Sequence, residues 1–383
     1  ELMYGRAKAQ PTTAPVRFVF DTMHNLQKLQ QVDPRTIPNA GAMYASTVGT
    51  FAFGGVSFAI SRRFLDEAEP LVAPDDRREA LIFGFMRFLH HFLEGDWSDE
   101  RGLSRERIDE GIEIGALWEV ANFLDLDTER CIAQGRLERA REQLATLARV
   151  ADLFQYDLAR ASHQGLTALL QIEERQLDEA VRTCDRYFEE HEEDSFRVMA
   201  LSSRAKAEAL ANRCDDADAT LERAAAVIAR SGSLLPFHQS AYQRSRALAD
   251  LVRLEREGDG AVRALRKRAG RSVARALRTA GNVAARRPEA LRLAARYQWR
   301  VGSPRRARRL WERALGESDR LGARPERARA ELDLAACLAE RPGERGPDGR
   351  PPAALAESAE AELAALGLDA ERERAHALRE ALA

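Results

Sequence analysis

Lysine is nearly missing from this chain of 383 residues: Lys8, Lys28, Lys206 and Lys267 stand against 55 arginines. Cysteine is equally sparse. Cys131, Cys184, Cys214 and Cys337 lie far apart and form no CxxC pair, which argues against a zinc ribbon or a disulfide framework and fits a reducing cytoplasm. Glycine and proline together make up about a tenth of the residues, and runs of β-branched residues are scarce, so extended sheet is not expected. The longest stretch without a charge, Asn39 to Ser61, is diluted by glycine, alanine, serine and threonine, and it is read as a buried helix, not a membrane span. No basic-then-apolar leader opens the chain. The missing initiator methionine leads us to expect a piece of a longer protein.

Chemistry-bearing motifs are lacking as well. There is no GxxxxGK[ST] loop to cradle phosphates, no HExxH helix to hold zinc, no GxSxG elbow and no GxGxxG turn. None of the seven histidines has a cysteine or a second histidine one helical turn away, so no metal is expected, and adjacent His90 and His91 are read as packing or surface residues. Acidic pairs such as Asp66 with Glu67, Asp178 with Glu179 and Asp215 with Asp216 sit where second helices begin, suiting the positive end of the helix dipole. Neither catalysis nor a cofactor is expected.

What the chain has in quantity is Ala, Leu, Arg and Glu. These are strong helix formers, and 45% hydrophobic with 31% charged residues at a net charge of −2 describes a folded all-α protein. The alanine and arginine excess is the mark of a GC-rich bacterial genome, so only the placement of arginine carries information about function.

The sequence repeats itself. Ile60 to Ala68 (ISRRFLDEA), Ile132 to Ala140 (IAQGRLERA) and Ile172 to Ala180 (IEERQLDEA) share a pattern, with weaker copies at Asn212 to Ala217 and Gly302 to Ala307. The offsets indicate a unit of about 36 to 40 residues: a helix, a small or polar turn, and a second helix whose early alanine lies at a close approach. Second helices carry apolar stripes such as Leu137, Ala140, Leu144 and Leu147, or Ala307, Leu310, Trp311 and Ala314, which one helix pair cannot bury alone. Eight pairs are expected: 40–60 with 63–73, 77–94 with 105–115, 117–134 with 136–154, 157–175 with 177–191, 195–212 with 215–231, 235–257 with 260–283, 287–301 with 304–322, and 325–340 with 352–366. Residues 1–36 supply atypical N-terminal helices, 40–340 the repeats, 341–352 a flexible loop, and 353–383 the last repeat helix and a charged cap, all in one domain.

These units resemble tetratricopeptide repeats of the longer, degenerate type. Gly135, Arg136, Leu137 and Ala140, and again Leu177 to Ala180, match that family's turn and small-residue positions. His91 to Trp97 (HFLEGDW), Gly115 to Phe123 (GALWEVANF) and Gly322 to Leu338 (GARPERARAELDLAACL) further resemble the C-terminal arrays of bacterial STAND-class signalling ATPases, which are often joined to a kinase or a cyclase. The resemblance implies a right-handed α-solenoid whose concave groove binds a protein or peptide partner, or acts as a sensor and regulatory arm for catalytic domains of the same chain.

Charge placement supplies the candidate surface. Residues 241–320 hold 22 basic against 8 acidic residues. Arg263, Lys267, Arg271 and Arg275 are spaced by one helical turn, as are Arg292, Arg296 and Arg300, and Arg305, Arg309 and Arg313. Like charges at that spacing repel, so the stripes call for anionic neighbours: acidic residues of adjacent repeats, an acidic protein partner, or a nucleic acid. Trp299, beside Tyr297 and Arg300, is the candidate groove anchor. Trp97, Trp118, Trp311, Phe123 and Phe154 are read as core. The leading expectation is thus a non-catalytic interaction or sensor module, and the alternative is a nucleic-acid-binding or anionic-ligand-binding solenoid that uses the 263–313 stripe.

Overall fold

A computed structural model describes residues 15–29, 31–73, 75–232, 234–258, 263–341 and 343–382. Among them there is no strand, and the helices pack in neighbouring pairs. Helix α1 (Pro15–Leu29) precedes α2 (Ala40–Ala45), α3 (Phe58–Ala68), α4 (Arg77–Glu94) and α5 (Arg105–Glu113). Then come α6 (Leu117–Ala133) with α7 (Leu137–Phe154), α8 (Asp157–Glu173) with α9 (Leu177–Glu190), and α10 (Asp194–Leu210) with α11 (Cys214–Ser231). They are followed by α12 (Pro236–Glu257) with α13 (Arg263–Ala280), α14 (Arg287–Arg300) with α15 (Pro304–Leu321), α16 (Arg324–Ala339) with α17 (Pro352–Ala365), and α18 (Asp369–Leu382). Each first helix also touches the first helix of the next pair from α6 onward. No helix among the described residues is long and apolar enough to cross a membrane.

One turn chemistry joins the pairs. Gly135, Arg175, Asn212 and Gly302 all adopt left-handed backbone, with φ of 75°, 62°, 59° and 81°. The next residue in each case donates its N–H across the turn: Arg136 to Cys131 O, Gln176 to Gln171 O, Arg213 to Glu208 O and Ser303 to Gln298 O, at 2.8 to 2.9 Å. This six-to-one bond caps the last free carbonyls of the first helix and sets the angle at which the second departs. Five residues past each turn lie Ala140, Ala180, Ala217 and Ala307, all fully buried. A larger side chain there would push the paired helices apart.

That register corrects one reading of the sequence. Ile60–Ala68 lies wholly inside α3 and contains no turn, so its likeness to Ile172–Ala180 is helical composition without equivalent structure. The expected helix 40–60 is also broken. After α2 the backbone widens into a π-turn over Gly49–Phe53, Gly55 goes left-handed, and the Ser57 hydroxyl accepts from Ile60 N at 3.3 Å to start α3 five residues early. In the N-terminal region the described part holds α1 and a short 3₁₀ turn at Pro34–Thr36, while residues 1–14 lie outside the described residues. The 341–352 segment, expected to be a free loop, folds back in its described part: Arg350 Nη2 donates to Glu331 Oε1 of α16 at 2.8 Å, and Arg308 of α15 pairs with Glu344.

The inward faces of the two halves meet. One apolar cluster runs from Leu26 through α4, α6 and α8 to Leu321, Leu332, Leu363 and Ala375. Arg287 Nη1 donates to Glu94 O at 3.1 Å, Arg320 Nη1 to Gly95 O at 2.8 Å, and Gln134 Nε2 to Leu321 O at 2.9 Å. Gly135 sits at this seam. A Cβ placed on it would lie 2.4 Å from Leu366 Cδ2 and 3.3 Å from Pro325 Cγ. Gly135→Ala combines that clash with a left-handed backbone, so a loss of about 2 kcal/mol of stability is expected. Urea denaturation checks it, and an unchanged midpoint would contradict the packing at the seam.

Candidate functional site

The first helices enclose a cavity of about 490 Å³. One stripe of α6 faces it, Trp118, Asn122, Asp125 and Glu129, spaced to fall on a single helical face. Phe85, Met86 and Leu89 of α4 face it from one side, and Ser162, Gly165, Leu166 and Leu169 of α8 from the other. Phe196, Met199 and Ser203 of α10, with Phe237, His238 and Arg244 of α12, complete the wall. Small residues on these inner faces, Ser162, Gly165, Ser202, Ser203, Ala241 and Ser245, leave the space that larger ones would fill. The π-turn after α2 closes one end: the Phe53 ring lies 5.7 Å from Phe237 and 6.0 Å edge-on from His238, and Gly55 packs against Pro236 and Asn282.

Polar groups in this apolar setting have displaced titrations. Burial, then the nearby Glu129 charge, pushes the Asp125 carboxyl up to about 7, against a hydrogen bond from Ser162. Burial lowers His238 to about 4, so its ring is neutral, and raises the Tyr156 phenol to about 12. Arg286 is paired with Glu129, yet burial still lowers it to about 10.

Beyond Arg244 the interior turns ionic. Glu289 of α14 accepts from Lys206 of α10 at 2.9 Å and from Arg244 of α12 at 3.1 Å, which separates the first cavity from a second of about 670 Å³. Burial opposes the Glu289 charge, but Lys206 and Arg244 outweigh it and hold the carboxyl well below its usual range. In the second cavity Arg329 makes three hydrogen bonds to Glu371 of α18, at 2.6, 2.9 and 3.1 Å, and lies 2.6 Å from Glu173 of α8. Arg175 also reaches Glu371.

This lattice takes in part of the arginine stripe singled out from the sequence. Arg292 is buried and bonded to Glu326 at 2.9 Å and Asp333 at 2.7 Å, and Arg296 is bonded to Glu255 at 2.5 Å. Both are neutralised by acidic residues of adjacent repeats and line the second cavity, not an outer surface. Trp299 is only 5% exposed: its indole N–H donates to Glu340 at 3.1 Å, and its ring packs edge-on against Trp311. It is a core residue and not a groove anchor, because the apolar side of α14 turns toward α15. Tyr297 donates to Arg266 O at 3.2 Å, and Arg300 is half-buried. By contrast Arg263, Lys267, Arg271 and Arg275 of α13, and Arg305, Arg309 and Arg313 of α15, are exposed, with no ion partner among the described residues. Those helices are neighbours, since Leu277 and Leu310 pack into the same core clusters. Phe154, expected in the core, is 41% exposed.

His90, His91 and Glu94 bring donor atoms within 4.8 Å of one another at the end of α4. His90 Nδ1 is bonded to Ser61 Oγ at 3.0 Å, and Glu94 is held by Arg62 at 2.5 Å. Burial keeps both imidazoles neutral. The donor types suit a transition metal, but the guanidinium on Glu94 competes for the carboxylate.

No model of a known protein family matches the chain, and a search of curated proteins finds none similar to it.

Proposed function

We propose that the chain is a non-catalytic sensor module, a tetratricopeptide-like solenoid of the kind found in STAND-type bacterial signalling proteins, and that its interior binds a small molecule. The observation that carries this reading is the cavity of about 490 Å³ walled by five successive first helices. Its size and its mainly apolar lining with a few polar groups are those of small-ligand sites. An extended peptide fits less well, because the Lys206–Glu289–Arg244 ion pairs divide this cavity from the second, ionic one. Occupancy would bias the contact between the π-turn and α12, where Phe53 meets Phe237 and His238.

The test is uptake of Nile red, a neutral apolar dye, by the purified chain. One dye per chain is expected, abolished by Ser203→Trp, which fills the cavity from α10. Failure to take up dye, or uptake that ignores Ser203→Trp, would count against the reading.

A nucleic-acid surface remains the second reading, carried by the exposed cations of α13 and α15. Seven phosphate contacts would give a salt slope of about −6 on duplex DNA, a signature that the sensor reading does not share.

A further inference from the structure

The charges around the first cavity do not balance. Its two arginines are already committed, Arg286 to Glu129 and Arg244 to Glu289. Each keeps a buried Nε–H without a hydrogen-bond partner, but the guanidinium charges are matched by these carboxylates. Asp125 is different: it is largely buried in the cavity wall, the Ser162 hydroxyl meets it, and among the described residues Arg286 acts on it through its charge alone, without a salt bridge. It sits on the α6 stripe between Trp118 and Glu129, with the Phe85 ring edge-on to Trp118 at 5.5 Å. A carboxylate beside aromatic faces in a water-poor pocket attracts one kind of headgroup, since ring faces and carboxylate both favour positive charge.

Resting on the ligand-sensing reading, we propose that this cavity takes an amphipathic organic cation, an ammonium group on an aryl or alkyl body. The ammonium pairs with Asp125, and the body lies among Trp118, Phe85 and Leu166. Such a ligand supplies the missing counter-charge, whereas a carboxylate would meet Asp125 and Glu129 head-on. The raised Asp125 titration comes from burial and the Glu129 charge, which the Ser162 hydrogen bond and the Arg286 charge only partly offset.

The experiment is calorimetric titration of the chain with three probes that share one body: 6-phenylhexylamine, 6-phenylhexan-1-ol and 6-phenylhexanoate. The amine is expected to bind at least about tenfold tighter than the alcohol, with the carboxylate weakest. Asp125→Asn should bring the amine down to the alcohol's affinity and leave the alcohol unchanged. Ser203→Trp should abolish all three and so exclude binding at the outer surface. Equal or tighter binding of alcohol or carboxylate, or an amine affinity indifferent to Asp125→Asn, overturns the cation assignment and leaves the sensor reading standing. Binding by none of the probes overturns both. Asp125→Asn is isosteric, so circular dichroism of the variant verifies the fold independently.

Discussion

Replacing Arg329 with alanine is expected to lower the unfolding free energy by about 3–5 kcal/mol, the range for removing one member of a buried ion cluster. The guanidinium holds Glu371 with three hydrogen bonds, Glu173 at 2.6 Å and Glu326 at 3.0 Å, and Arg329 is only 6% exposed. Burial acts against the Arg329 charge, but Glu173 and Glu371 prevail and raise it well above its ordinary value. Alanine strands these carboxylates in a site where Arg175 remains for Glu371 but nothing replaces the bond to Glu173. Urea denaturation of the purified variant measures the loss. Removing the charges together, as Arg329→Met with Glu371→Leu and Glu173→Leu, should cost less than the single change, because the penalty lies in the unpaired carboxylates. A triple variant worse than Arg329→Ala would show that the cluster contributes net stability.

The second large effect depends on pH. An unfolded aspartate titrates near 3.9, whereas folded Asp125 titrates at about 7. Between these values the folded chain keeps a proton that the unfolded chain has released, so stability falls as pH rises from about 4 to 7. At pH 8 the full cost approaches about 4 kcal/mol, less whatever solvent in the cavity screens. Asp125→Asn cannot ionise, so it should stabilise the chain by about 4 kcal/mol at pH 8 but by only about 1.5 kcal/mol at pH 5. His238 works in the opposite sense: its folded titration is lowered to about 4, so its contribution is lost as pH falls below about 6.5. It is common to both proteins and cancels in the difference. Denaturation at the two pH values is the check, and an equal increment at both would remove Asp125 as its source.

The helix pairs were legible because their turns are local. Gly135, Arg175, Asn212 and Gly302 lie five residues before a buried alanine, a signal that needs no tertiary context. The Ile60 block deceived because Leu-Asp-Glu-Ala suits the last turn of a helix as well as its first. Arginine spacing defined stripes but not the direction they face, and a small change of helix phase separates buried Arg292 from exposed Arg305. The cavity left no motif at all. Its walls come from segments scattered between Ser46 and Arg286, and its volume depends on where small side chains on different helices coincide. Ser202 and Ser203 amid Phe196 and Met199 were the nearest thing to a clue, a pair of small residues on the inner side of a first helix.

An array whose units touch only their neighbours melts like a zipper, from the ends inward. This chain has lost that freedom. Glu94, Gln134 and Glu173, from three early units, are fastened to Arg287, Leu321 and Arg329 in the late ones. None of these early units can open without exposing a late one, so this part of the molecule behaves mechanically as a clasped bracelet and not as a spring. Unfolding of these units should therefore be one all-or-none event in place of a graded uncoiling.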